Sequence, residues 1–372
     1  MKIAVSSRLA DFADVWPSLN QQGRHCAYAF QTREVLEVWL DTIGIARKTQ
    51  PLFVRVDSDD GAPLMLAPLG VERRRGLRIL GFLDGGVCDY NAPVLFPGAE
   101  SIDAEAFGRL WNSIAEKLPQ FDAALFDKIP TAVDEMRNPF KALAPTSDFN
   151  SGHLVRLDGA EEGGDAAPSP RFSNTDRKWR KLRSAGKVEF LIADAPADAA
   201  RIYEAMVRQK TRRYLDTRGV DGFDRPGYRG YYRVMTDRFL SSGGVQLSAL
   251  LLDGAPIATQ WAVITPDRFY SLMPAFEVGP SARHSPGLLH LEETIAWCVR
   301  ERIAILDLGV GDELYKLRIA NARLPLFRGE YAATLAGRAY LAALAARHKL
   351  SAGPLGEAWR AYNEARIRRP RA

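Results

Sequence analysis

The chain has 372 residues, of which 47% are hydrophobic, 10% aromatic and 26% charged, a balance that excludes disordered, collagenous and fibrous classes and leaves a soluble globular protein. Fifty Lys and Arg against 45 Asp and Glu leave a formal charge of +5, which suits anionic ligands without marking a nucleic-acid binder. At roughly 100 to 200 residues per domain, the length predicts two domains.

The N-terminus, MKIAVSSRLADFADVW, meets Asp11 and Asp14 before an apolar region of signal length can form. The longest apolar stretches are broken by Asp253 and by Arg338 with Arg347, so none reaches the roughly 18 to 20 residues of a membrane span. Cys26, Cys88 and Cys298 are odd in number and scattered, against a disulfide framework or a zinc site. A cytoplasmic protein without a metal is expected.

Along the chain the first signal is a hairpin. PLFVRVD (51–57) runs through Asp60, Gly61, Ala62 and Pro63 into LMLAPLGV, where Asp and Gly supply the turn and apolar residues the strands. A strand RGLRILGFL follows, then the irregular DGGVCDYNAPVLFPG, a helix around AFGRLWNSIAEKL, and a strand FDAALFDKI. Asp89 and Tyr90 sit after the Gly-rich turn, where they either face a substrate cleft or make a local Asx bond and a core contact. Residues 157–175, rich in Gly, Pro, Ala and acids, predict a linker or surface loop.

The second half opens on RKWRKLR (177–183), which carries Arg177, Arg180 and Arg183. These either contact an anionic acceptor or form the solvated face of a helix with Trp179 and Leu182 inward. The same order then recurs: VQLSALLLD, a second DGAP, IATQWAVI, a strand RFYSLMPAF, the irregular EVGPSARHSPG, a helix LLHLEETIAWCVRERI and a strand AILDLGV. This is a weak internal duplication. Leu288, Leu291, Ile295 and Val299 are expected to pack the helix on a sheet.

Arg283, Ser285, Pro286 and Gly287 stand at that helix's start, as a pyrophosphate cradle or as a cap with Pro in the first turn. After AILDLGV come Gly311, Asp312, Glu313, Leu314, Tyr315 and Lys316. Asp307 or Glu313 is a candidate base, Tyr315 a candidate acid for a departing thiolate, and Lys316 a candidate oxyanion stabiliser. The alternative is an ordinary acidic helix start. The five histidines show no metal-ligand spacing, and no Walker A or dinucleotide glycine motif follows a strand. The basic tail RIRRPR is expected to be a solvated helix end.

Three segments, RKWRKLRSAGKVEF, HSPGLL and LDLGVGDELYKLRIA, in this order resemble the GNAT superfamily, in particular bacterial FemAB-like and CelD-like proteins with tandem GNAT-type domains. The resemblance spans roughly residues 30 to 335. It implies an α/β (α+β) fold of two GNAT-like domains, each a mixed twisted sheet flanked by helices: 1–156, then a linker 157–175, the donor-binding 176–340, and a helical tail 341–372. It implies transfer of an acyl group from acetyl-CoA or another acyl-CoA to an amine or hydroxyl of a cell-envelope or exopolysaccharide-related acceptor, such as a saccharide precursor. It also implies a donor pyrophosphate held by Arg283, Ser285 and Gly287, with Tyr315 and Lys316 at the transferring carbonyl. The usual Gln/Arg-x-x-Gly-x-Gly/Ala pattern is not intact, since Pro286 and Gly287 follow Arg283 without a second Gly. Fem ligases carry a helical-hairpin insertion associated with tRNA. No heptad-bearing insertion is seen between 190 and 245, which favours acyl-CoA over tRNA. A tRNA-dependent transferase and a non-catalytic scaffold of a polysaccharide system are the alternatives, and no DNA partner is expected.

Overall fold

A computed structural model describes residues 1–157 and 175–352. The expected linker, apart from its end residues 157 and 175, and the basic tail lie outside the described residues.

The first half comprises β1 (Lys2–Ser6), α1 (Arg33–Trp39), α2 (Ile45–Arg47), β2 (Gln50–Asp57), β3 (Pro63–Arg74), β4 (Leu77–Phe82), β5 (Val94–Leu95), α3 (Ala104–Lys117), β6 (Ala123–Pro130), the ribbon β7 (Ala132–Val133) and β8 (Met136–Arg137), and β9 (Thr146–Arg156). The second comprises α4 (Thr175–Arg183), β10 (Val188–Ile192), α5 (Pro196–Arg218), α6 (Tyr228–Phe239), β11 (Val245–Leu252), β12 (Ala255–Ile264), β13 (Arg268–Ser271), β14 (Ala275–Phe276), α7 (Pro286–Arg300), β15 (Ile305–Val310), α8 (Leu314–Ile319), β16 (Ala322–Ala332) and α9 (Leu335–Ala352).

Both DGAP segments turn hairpins, by different means. Asp253 and Gly254 both adopt positive φ in a tight turn between β11 and β12, the conformation Asp-Gly supplies most easily. At the first, Gly61 alone has positive φ in a longer loop closed by Ser58 N–H to Ala62 O at 2.9 Å. Helix α3 starts on an Asp103 side chain that accepts from Ala106 N–H at 2.8 Å. Its buried face is Phe107, Leu110, Trp111 and Ile114, the spacing of an amphipathic helix on a sheet.

The strands form a continuous mixed sheet in the order β1-β2-β3-β4-β6-β16-β9-β15-β13-β12-β11-β10. Each half contains a meander whose last strand pairs in parallel across a helix with the next: β4 with β6, and β13 with β15. At the centre the halves exchange strands. β9, last of the first half, pairs with β15, while β16 of the second pairs with β6, and β9 and β16 pair with each other. One apolar core accordingly joins Trp39 and Phe53 to Tyr231, Trp261 and Tyr270.

Helix α7 is rotated from the expected face. Leu291 and Ile295 are buried, but Leu289 and Cys298 complete that face, whereas Leu288 is half-buried and Val299 is 46% exposed. Between 190 and 245, α5 and α6 form a helical pair that packs on β11 and β12. Pro196 at the first turn and Gly219 in the left-handed C-cap position bound α5.

Candidate active site

The parallel pairing of β13 with β15 ends at Tyr270 opposite Asp307. Beyond it β13 gives way to β14 on β12, while β15 continues to Val310. Strands that part in this way open a fork at their C-terminal ends, where ligands of α/β sheets enter.

Asp307 lies at the fork and is 1% exposed. Its Oδ1 accepts from Tyr90 O–H and Gly309 N–H, each at 2.8 Å. Its Oδ2 is buried without a hydrogen bond, 3.9 Å from the Arg268 guanidinium. Burial pushes the Asp307 carboxyl above its ordinary range, and Arg268 and the Tyr90 hydroxyl pull the other way. Arg268, itself buried, also pairs with Asp134 at 3.2 Å and lies over the rings of Tyr28 and Tyr270. The Tyr270 hydroxyl accepts from Ala29 N–H at 3.2 Å. Residues from both halves thus lock the fork.

Asp89 reaches the same place from the loop after β4. Its carboxylate sits so close to Gly309 that a Cβ there would stand 2.3 Å from Oδ2, and Gly309 also has a φ of 74°, so glycine meets both demands. Asp89 is only half-buried, unlike Asp307. Desolvation pushes its carboxyl up to about 6, with Lys128 and Lys316 lowering it and Asp307 raising it. Lys316 is buried, donates to Val310 O at 2.9 Å and pairs with Glu313 at 3.0 Å. Against the pull of burial, Lys316 holds the exposed Glu313 carboxyl below its ordinary value. Burial, then Glu313, raises the Tyr315 phenol, and Arg213 opposes them.

The expected cradle lies on the other side of Arg213. That guanidinium is 5.7 Å from the Phe276 ring, and the ring packs on Gly287, where a Cβ would lie 3.0 Å from Phe276 Cδ1. Ser285 is in the left-handed region at φ 57° and makes no side-chain cap of α7; Pro286 follows in the first turn. Arg283 is exposed and donates to His284 Nε2 at 3.1 Å. Burial lowers the His284 pKa, with Arg283 and Lys181 adding to the effect.

The structure thus brings Asp89, Tyr90, Asp307, Glu313, Tyr315 and Lys316 together, with Arg283 to Gly287 adjoining them through Phe276 and Arg213. Arg177, Arg180 and Arg183 are elsewhere: exposed on α4, which packs on residues 280–284 and on α7 and is fixed by Trp179 Nε1–H to Glu292 at 2.8 Å. They stand beside the cradle rather than the carboxyl cluster. Sequence reasoning missed Arg213, Arg268, Lys128 and Tyr270. Among the described residues no group of three or more His, Cys, Asp or Glu can hold a metal ion, and no helix is long and apolar enough to cross a membrane.

Residues 170–317 match the family model described as an acetyltransferase (GNAT) domain. No curated protein matches the sequence. The fold is similar to that of a conserved protein of unknown function from Bacteroides thetaiotaomicron VPI-5482, with 14% identity, a TM-score of 0.54, and coverage of 89% of this chain and 100% of that one. It is also similar to FemX, with 12% identity, a TM-score of 0.54, and coverage of 92% and 99%. The matched GNAT stretch includes the fork, α7 and α8 up to Leu317.

Proposed function

We propose that this chain is a cytoplasmic acyltransferase that moves an acyl group from an acyl-CoA thioester to an amine or hydroxyl of a saccharide precursor for the cell envelope or an exopolysaccharide. The observation that carries the reading is the meeting, at the fork of a GNAT-type stretch, of a half-buried carboxyl poised near neutrality with a buried ammonium. A base works best when its pKa lies near the working pH and it can reach the substrate. Asp89 meets both conditions. Asp307 is sealed and already accepts two hydrogen bonds, so its part is to position Tyr90 and the Gly309 turn.

In this mechanism the acceptor nitrogen or oxygen attacks the thioester carbonyl and gives its proton to Asp89. Lys316 stabilises the oxyanion with an N–H beyond the one given to Val310. The C–S bond breaks as the tetrahedral intermediate collapses, and the Tyr315 phenol, kept protonated by burial, protonates the leaving thiolate. Water returns the proton from Asp89 to Tyr315. Arg283, Ser285, Pro286 and Gly287 would hold the donor pyrophosphate, with Arg177, Arg180 and Arg183 supplying positive charge beside it. Glu313 keeps Lys316 oriented.

Thermal-shift measurements with acetyl-CoA and longer acyl-CoAs test this. A saturable rise in melting temperature that Arg283→Ala removes is the expected result. A rise with charged tRNA alone supports the aminoacyl-transfer alternative. Silence towards both donors, with co-purification of a glycosyltransferase subunit, supports the scaffold and overturns the enzyme.

A further inference from the structure

The first half has its own fork. Parallel β4 and β6 pair at Ile79–Ala123 and Leu80–Ala124, and a cavity of about 200 Å³ lies beside that point. Its lining balances three arginines, Arg47, Arg74 and Arg225, against Glu72, Asp84 and Asp127. The polar groups are held in place by one another. Glu72 pairs with Arg47 and Arg74, each at 3.2 Å, and Asp84 pairs with Lys128 at 2.6 Å. Arg225 donates to Gly222 O at 2.9 Å and lies 3.8 Å above the Tyr228 ring.

Two further features point to a ligand. Asn91 is 4% exposed and lines the cavity; its amide N–H donates to Asp127 O at 2.9 Å, while its Oδ1 is buried with no hydrogen-bond partner. Buried acceptors left unpaired are costly, so a hydroxyl or amide donor brought by a ligand would lower that cost. Phe82 supplies an aromatic face, and glycines 70, 81, 85 and 86 leave bare backbone around it.

We propose that this cavity binds a neutral monosaccharide unit. A compact ligand with hydroxyls in many directions uses fixed donors and acceptors together, and its apolar C–H face rests on an aromatic ring. Three carboxylates in the wall work against a phosphate, and three arginines against a simple amine. The wall is also the loop that carries Asp89: Lys128, paired with Asp84, donates to Cys88 O, the residue before Asp89. A sugar seated here braces that loop from behind. Its assignment as part of the acceptor rests on the transferase reading, whereas its binding does not.

Saturation-transfer NMR on the full chain, with glucose, galactose, N-acetylglucosamine and inorganic phosphate as separate probes and no thioester present, tests the proposal. The expected result is transfer to at least one sugar, lost in Thr49→Trp, which fills the cavity, and weakened several-fold in Glu72→Gln, with circular dichroism confirming both folds. Glu72→Gln keeps the test decisive should Thr49→Trp not fold. No transfer to any of the sugars, transfer unchanged in the folded variants, or a variant-sensitive response to phosphate alone overturns it. Failure here leaves acyl-CoA binding standing, and failure of acyl-CoA binding leaves this site standing.

Discussion

Tyr90 donates its hydroxyl proton to Asp307 Oδ1 at 2.8 Å across a separation of 217 residues. Neither partner is accessible, and the bond ties the loop after β4 to the strand that forms one arm of the fork. Breaking it should therefore act on stability before chemistry. Tyr90→Phe is expected to cost about 1 to 3 kcal/mol, the penalty for an unpaired buried acceptor. Asp307→Asn should cost more, on the order of 3 to 5 kcal/mol, since it takes one of two carboxylates from buried Arg268. Urea unfolding of both singles and the double checks this: the pair should couple by at least about 0.5 kcal/mol, and strict additivity would contradict a direct bond.

Asp89 separates function from stability. Its folded pKa is raised to about 6, so the native state binds a proton more tightly than the unfolded chain. The stabilisation linked to that proton is complete below about pH 4 and is lost as pH rises through about 6. As a base it works only when deprotonated, so activity should climb across the same interval. Asp89→Asn is expected to melt higher than the parent at pH 7.5 while losing most turnover. Loss of both stability and turnover would mark a purely structural carboxylate.

Lys316 lowers the Asp89 pKa as well as facing the carbonyl in the proposed mechanism. Lys316→Met should reduce kcat by roughly a hundredfold to a thousandfold and shift the acid limb of the pH–rate profile upward. A reduced rate with an unmoved limb would leave Lys316 as a loop anchor through Val310 and Glu313. The profile distinguishes the two.

His290 is buried beneath α7, 3.1 Å from the Ser248 hydroxyl, and desolvation lowers its pKa to about 4. Here the unfolded chain binds the proton more tightly, so the stability of the neutral imidazole is full above about pH 6.5 and is lost as pH falls towards 4. Melting temperature should decline over that window. His290→Gln should flatten the decline, and an unchanged slope would assign it to other groups.

Much of this was legible in the sequence. The two DGAP turns, the strands on either side and the helix before each parallel partner follow from period and turn chemistry. Asp89 and Tyr90 were visible as polar groups after a glycine-rich turn. Arg268 and Tyr270 were not, because nothing marks them in RFYS. Their importance comes from the register that sets Tyr270 opposite Asp307 and from Tyr28 arriving from the other half. The α7 face was misjudged by about one residue, because its first turn begins at Pro286 after a left-handed Ser285. Helix α5 had readable ends in Pro196 and Gly219, but a long, weakly patterned interior.

The exchanged strands also constrain how the chain can be born. Both neighbours of β9 in the sheet come from beyond residue 304, so during synthesis its backbone amides wait about half the protein's length for partners. The outer edge of β6 waits still longer, for β16. Open strand edges of this kind invite pairing with other chains, and contacts so distant in sequence form slowly. A ribosome-bound chain lacking its last fifty residues or so would expose both edges at once. Escape from aggregation therefore depends on completing translation, and neither half, expressed separately, carries the strands that close its own sheet.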